Sequence, residues 1–359
     1  MRKTIVIAAI IVALLAGALL IVWLTLPSRL EKKLESRIPE ATGKSLTIEK
    51  TDITLEGDLT LHNVVFRDTM PKSRHIRYIE HQTDWILSRA DAVHIYGFNI
   101  WKYLNEDSFV IDSVIIDKPD INVYRDKRVP RGPFKKKHLP VSMLRMIGRE
   151  FSVDRLGIEN GSVAYTERIA EKTEGTVWFS DLTAEALHIT NDPALPARDP
   201  LMELSAHANL MGNIRTNIWL SFDMSSPGDH FNVHARLESY AIETLDSILI
   251  PLEAIDIENG RADTMAITMQ GNDDTISGSL TGHYSDLKMK MLSKDEKRDK
   301  SLIKTWIANA MIYKSNQPGD NNYRKGEIGF KRMKNRSIFH FLWNGMKSGI
   351  RDVIAKSSD

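Results

Sequence analysis

The chain has no cysteine in 359 residues. This excludes disulfide scaffolds, thiolate zinc sites, iron–sulfur clusters and cysteine nucleophiles, and it agrees with a body held in an oxidising compartment. A surplus of one charge is also missing: 48 basic side chains meet 47 acidic ones, for a net charge of +1. That balance argues against a dedicated nucleic-acid binder.

Catalytic signatures are equally scarce. The sequence contains neither G-x-S-x-G nor H-E-x-x-H. Gly43-Lys44-Ser45 copies the end of a phosphate-binding loop, but Ile38 stands where the first glycine of that loop belongs. His230 and His234 sit four positions apart, which on a strand is about 13 Å, too far to share one metal ion. The carboxylates of residues 150–292 are scattered through strands and turns and single out no acid–base pair. The chain therefore reads as non-enzymatic, with no metal and no cofactor.

What is present begins with one long apolar run. Residues 5–26 carry no charge; as a helix they would extend about 33 Å, enough for a bilayer core of about 30 Å. Trp23 lies near one end, as in an aromatic belt. The rival reading is a signal peptide cut after Ala16-Gly17-Ala18. The run is longer than an ordinary signal core, and cutting there would leave Leu19 to Leu26 exposed. An uncleaved single-pass anchor is the expectation, with residues 1–28 as stub and anchor. Flanking lysines and arginines do not fix its orientation; the β-rich, cysteine-free body favours export.

The balanced charge is an average over unlike parts. Residues 1–149 carry a net +7, residues 150–292 a net −14 and residues 293–359 a net +8. Lys135, Lys136 and Lys137 close a basic Pro/Gly-rich stretch that begins at Lys127. It reads as a linker or exposed loop; contact with anionic headgroups is the functional reading and a solvated loop the plain one. A second Pro-rich break spans residues 191–200. The expected divisions are a β-rich body at 29–292, with possible subdivision near 127–140 and 191–200, and a basic carboxyl-terminal segment at 293–359.

The body alternates apolar and polar residues with period two. Ile218, Leu220, Phe222 and Met224 form one apolar set; Phe231, Val233, Ala235 and Leu237 form a second; Ile276, Leu280 and Tyr284 belong to a third. Ile53 to Leu61 shows the same pattern. Each implies a strand with one apolar and one wet face. Asn160-Gly161, Asn259-Gly260, Met211-Gly212-Asn213, Pro227-Gly228-Asp229 and Asn272-Asp273-Asp274 read as turns between strands. Without helical crossovers the pattern predicts an antiparallel sheet. Its apolar face closes on a second sheet, lies under a helix, or lines an open groove. The tetrapeptide Ile158-Glu159-Asn160-Gly161 recurs as Ile257-Glu258-Asn259-Gly260, and two independent turns explain it. Helices are expected at 29–38, 141–149, 301–313 and 337–355. The last is amphipathic, with Lys347 and Arg351 beside its apolar face, and suits either a membrane surface or a cap on the sheet.

Three runs carry a resemblance: Gly57-Asp58-Leu59-Thr60-Leu61-His62-Asn63-Val64, Ile116-Asp117-Lys118-Pro119-Asp120-Ile121-Asn122-Val123, and Tyr284-Ser285-Asp286-Leu287-Lys288. With the amino-terminal anchor, they make residues 1–345 resemble the AsmA-like family of bacterial envelope proteins, whose larger relatives are similar to bridge-type lipid-transfer proteins. The resemblance implies an inner-membrane anchor, a periplasmic body and a long curled β-sheet, trough-like or sandwiched, with a few amphipathic helices. It implies membrane lipids as partners, with other envelope proteins as further ones. The groove candidates are then Ile218, Leu220, Phe222, Met224, Phe231, Val233, Leu237, Ile276, Leu280 and Tyr284. The anionic-lipid candidates are Lys135, Lys136, Lys137, Lys347 and Arg351. About 16 strands at ~4.8 Å spacing allow a trough of about 75 Å, short for a complete bridge. The alternative is an assembly or scaffold factor for outer-membrane proteins, with a closed β core and no ligand.

Overall fold

The computed structural model describes residues 44–54, 58–98, 106, 108–192, 194, 200–292 and 312–355. The expected anchor, the helix at 29–38 and nearly all of the helix at 301–313 lie outside them. Among the described residues no helix is long and apolar enough to cross a membrane.

The chain is mainly β. Its strands are β1 (Lys44–Thr47), β2 (Lys50–Ile53), β3 (Leu59–Asp68), β4 (Asp84–Tyr96), β5 (Phe109–Asp117), β6 (Asp120–Asp126), β7 (Phe151–Ala170), β8 (Thr173–Thr190), β9 (Leu201–Leu210), β10 (Ile214–Asp223), β11 (Phe231–Leu237), β12 (Tyr240–Ala241), β13 (Ile255–Gly271), β14 (Thr275–Met291) and β15 (Gly326–Lys331). Among the described residues four α-helices punctuate them: α1 (Lys72–Tyr78), α2 (Pro140–Arg145), α3 (Asp246–Glu253) and α4 (Ile338–Ile354). All 15 strands join one sheet, whose main path has 12 positions from β1 to β15. At ~4.8 Å per strand those positions span about 53 Å. This is shorter than the strand count suggests, because β1 and β2 share the edge of β3, and β5 and β6 run end to end between β4 and β7.

The sheet is mixed, which corrects the antiparallel expectation. β7 runs parallel to both β5 and β6. Parallel neighbours need a crossover of a dozen or more residues. Residues 127–150, made of the basic Pro/Gly-rich loop and α2, supply it. Two other expectations also change. The alternation from Ile53 to Leu61 is a hairpin, closed where Thr54 N–H donates to the Asp58 carbonyl at 2.9 Å. Asn160-Gly161 and Asn259-Gly260 are not turns. They lie inside the long strands β7 and β13, at shifts of register.

Those shifts belong to a crease. Asn63, Lys118, Asn160 and Asp181 all have positive φ, from 45° to 54°. These residues adjoin across the sheet: the pairs His62–Ala92 and Val64–Ala90 flank Asn63 and Asp91, Ala92–Asp117 stands next to Asp91 and Lys118, Asp117–Glu159 stands next to Lys118 and Asn160, and Asp181 lies in the irregularity of β8. Lys118 Nζ donates to Asp91 Oδ2 across the line at 3.1 Å. A left-handed residue inside a strand inverts the side-chain alternation. Leu59 and Leu61 are buried before Asn63, Val64 and Phe66 after it. Ile116 is buried before Lys118, Ile121 and Val123 after it. The repeated tetrapeptide has the same use twice. Gly161 faces Leu182 of Ser180-Asp181-Leu182, and Asn259 Nδ2 donates to the Asp286 carbonyl of Ser285-Asp286-Leu287 at 3.0 Å. Both long hairpins, β7–β8 and β13–β14, thus carry a register shift at this tetrapeptide, with Asn160 and Asp181 at positive φ in the first and Asp286 in the second.

One hydrophobic cluster runs from Leu46 to Val353. α4 starts at Ser337, whose hydroxyl accepts the His340 amide, and packs on β14 and β15. Phe341, 0% exposed, meets Phe231 edge-on at 6.2 Å between ring centroids. Burial of each such side chain contributes about 1.5–3 kcal/mol. Glycines allow the close approach: a Cβ on Gly326 would stand 2.0 Å from the Gly349 carbonyl oxygen, and one on Gly345 3.1 Å from Ile276. α3 packs on both β8 and β13, although β9, β10 and β11 lie between them, so the sheet is curled. Leu252 and Pro251 of α3 occupy the space above Gly175 of β8.

Candidate functional site

The curl gives the sheet an inner face, and register lines the groove candidates on the strands along it, Met224 lying past the end of β10. Phe222 pairs with Phe231, Leu220 with Val233 and Ile218 with Ala235. Phe231 continues to Gly271 and on to Ile276, and Ile267 of β13 faces Leu280. Met224 follows the end of β10, where its amide donates to the Pro200 carbonyl at 2.7 Å.

The ten residues have unlike surroundings. Phe222, Met224, Phe231, Val233, Ile276, Leu280 and Tyr284 are buried. Tyr284 is fixed at its hydroxyl, which donates to the Tyr313 carbonyl at 3.1 Å, and burial holds its pKa above the ordinary phenol value. These seven are packed core. Ile218, Leu220 and Leu237 stay half-buried. Leu237 joins a small separate cluster with Ile214, Tyr240 and Ala262. Ile218 and Leu220 pair with half-buried Ala206 and Leu204 of β9, and Ile218 with half-buried Ala235 of β11; half-buried Met265 of β13 lies opposite Leu237. The helices pack on β8, β13, β14 and β15, and α2 touches β10 near Met224; Ile218, Leu220 and their neighbours on the middle strands remain partly exposed. The second side of α4 adds Met346 and Ile350, also half-buried.

A charged group on the same face was not anticipated. Arg125, 2% exposed, pairs with Asp84 across β6 and β4. Glu167 of β7 pairs with Lys127 and accepts the Tyr165 hydroxyl at 2.6 Å. Burial opposes ionisation of Glu167, but Lys127 and the Tyr165 hydrogen bond outweigh it and hold the carboxyl at about 2. Lys347 of α4 feels Glu253, Lys127 and Glu167, and burial lowers its pKa below the usual ammonium value. Burial, with the positive charges of Lys347, Arg131 and Lys127 among its neighbours, lowers His340 to about 4. The signal for Arg125 was in the alternation, since Ile121, Val123 and Arg125 share one phase.

The lysine candidates also divide. Lys135 and Lys136 are exposed in the crossover loop, and Lys136 Nζ lies 3.5 Å from Asp273. Lys137 is half-buried, and its amide donates to the Lys334 carbonyl at 2.8 Å. Lys347 is half-buried, its Nζ 5.8 Å from the Trp343 ring centre. Arg351 is exposed on the last turn of α4.

A shallow depression of about 230 Å³ lies around Trp219, lined by Glu185, Glu203, Ser205, Ser221 and His234 and also by Leu187, Leu204 and Leu220. Among the described residues no group of three or more His, Asp or Glu side chains is placed to hold a metal ion. Compared with known protein families and with curated proteins, the chain matches none.

Proposed function

We propose that the protein is a non-enzymatic, membrane-anchored component of a bacterial envelope that binds lipid by laying an acyl chain along the inner face of its curled sheet. The supporting observation is the strip of Leu204, Ala206, Ile218, Leu220, Ala235 and Met265, apolar and half-buried on the concave side. Apolar surface left partly wet in an otherwise packed fold is where an apolar ligand gains most from burial, about 25 cal/mol per Å². The uncharged run at 5–26 and the AsmA-like runs support the anchor and the periplasmic setting. α4 closes the β14–β15 end, so the reading is of local lipid binding or hand-over to a partner, with phospholipid as cargo, rather than a complete bridge between membranes.

The test is native mass spectrometry of the full chain purified from membranes. Wild-type protein retains phospholipid, and Leu220→Asp loses it while keeping the wild-type melting temperature. A lipid-free wild-type protein contradicts the reading.

A further inference from the structure

We propose that the crossover loop between β6 and β7 is a docking element for an anionic bilayer surface. This goes beyond the lumen reading and stands without it.

The loop presents an unusual pair of properties. Phe134 at its tip is 73% exposed. Arg131, Lys135 and Lys136 around it are exposed as well. Beyond the loop, Met333 is 46% exposed and Lys331 is exposed beside it. The aromatic ring is not loose chain awaiting collapse, because the loop is pinned on both sides. Gln82 N–H donates to the Pro130 carbonyl at 2.9 Å, and Gln82 Nε2 donates to the Val129 carbonyl at 2.8 Å. On the other side Lys137 N–H donates to the Lys334 carbonyl at 2.8 Å, and Arg332 Nη2 donates to the Lys137 carbonyl at 2.5 Å. Pro130 and Pro133 stiffen what lies between. The fold therefore holds a large apolar side chain out in water, among cations.

An anionic bilayer matches both halves of that surface. Its headgroups attract the lysines and arginine within a Debye length, and its headgroup–acyl boundary receives the phenyl ring. A soluble polyanion would engage the cations alone and leave Phe134 in water. The acidic side chains at this place are already engaged: Asp273 by Arg332, Lys334 and Lys136, and Asp274 by Lys334.

Because the chain has no cysteine, one introduced thiol gives a clean probe. Full-length Phe134→Cys, labelled with an environment-sensitive fluorophore, is reconstituted into phosphatidylcholine vesicles with or without phosphatidylglycerol. The control label is Asn232→Cys, exposed on the outer face of β11. The expected result is a blue shift at 134, and quenching by a lipid-borne quencher, with phosphatidylglycerol present. Both are lost in the Arg131→Glu/Lys135→Glu background and at about 1 M salt, where the Debye length falls to ~3 Å. The control label does not change. A label at 134 indifferent to phosphatidylglycerol overturns the proposal. So does an equal shift in pure phosphatidylcholine, or one produced by heparin without vesicles. If Phe134→Cys loses its melting transition, the same label at Pro133→Cys makes the same reading. None of these outcomes depends on lipid in the lumen.

Discussion

Ser348 of α4 accepts the backbone amide of Gly329 in β15, Oγ to N at 3.0 Å. One turn on, Asp352 Oδ2 accepts the Glu327 amide at 3.1 Å. Outward-facing donors of an edge strand are thereby satisfied by the helix that covers the inner face beside it. An uncovered edge invites pairing with another chain. The helix thus protects the edge as well as packing the core, and β-augmentation at β15 is disfavoured.

Ser348→Ala/Asp352→Ala is expected to lose about 1–3 kcal/mol for two such bonds and to associate with rising concentration. Sedimentation velocity of the full chain in detergent over a concentration series measures the association; a variant with unchanged sedimentation would show that the edge is guarded by something else.

The approach of α4 to β15 depends on absent side chains. A methyl group on Gly326 would meet the Gly349 carbonyl at 2.0 Å, whereas Gly329 has nothing within 4 Å of the same added atom. Gly326→Ala should cost about 1–3 kcal/mol or more through overpacking. Gly329→Ala should stay within about 0.5 kcal/mol of wild type. Paired urea titrations separate the two.

The Arg125–Asp84 pair is buried on the inner face. Removing one partner leaves an uncompensated charge, so Asp84→Ala should cost about 3–5 kcal/mol, while Asp84→Ala with Arg125→Met recovers much of the loss. If the double variant is as unstable as the single one, the pair is not what holds this part of the wall.

His340 has an ordinary pKa of 6.5, which burial and nearby cations lower to about 4. The unfolded chain therefore binds the proton more readily between those values. The contribution is present in full above pH 6.5 and is lost as pH falls towards 4. Its size is at most about 3–4 kcal/mol. Glu167, lowered from 4.5 to about 2, acts in a separate and more acid window. Urea stability measured across the first window should fall for wild type and stay flatter for His340→Gln. Parallel curves would assign the acid sensitivity to other groups.

The alternation at 218–224 and 231–237 was enough to place the candidates on a common face, because one buried and one wet side constrain strand register. It did not reveal which of them are packed. Phe231 and Leu220 follow the same pattern, yet Phe231 meets Phe341 of α4 and Leu220 remains half-buried. Which strand a distant helix covers is a tertiary choice. Asn160-Gly161 and Asn259-Gly260 looked like hairpin turns because that dipeptide favours positive φ. Asn160 does have positive φ, but its neighbours stay paired on both sides and the strand continues. The helical phase sets Lys347 beside the apolar face of the last helix; it is half-buried there, and burial lowers its pKa. The parallel pairing of β7 was hidden because its crossover is mostly loop rather than helix.

The central claim is that lipid lies against the inner face of the middle strands. Its most direct test is a photocrosslinking amino acid placed in the full chain at Leu220 or, one residue on, at Ser221, which points to the opposite face. After irradiation in native membranes the account predicts phospholipid adducts at position 220 and none at 221. Equal labelling at both positions, or no lipid at 220, would contradict it.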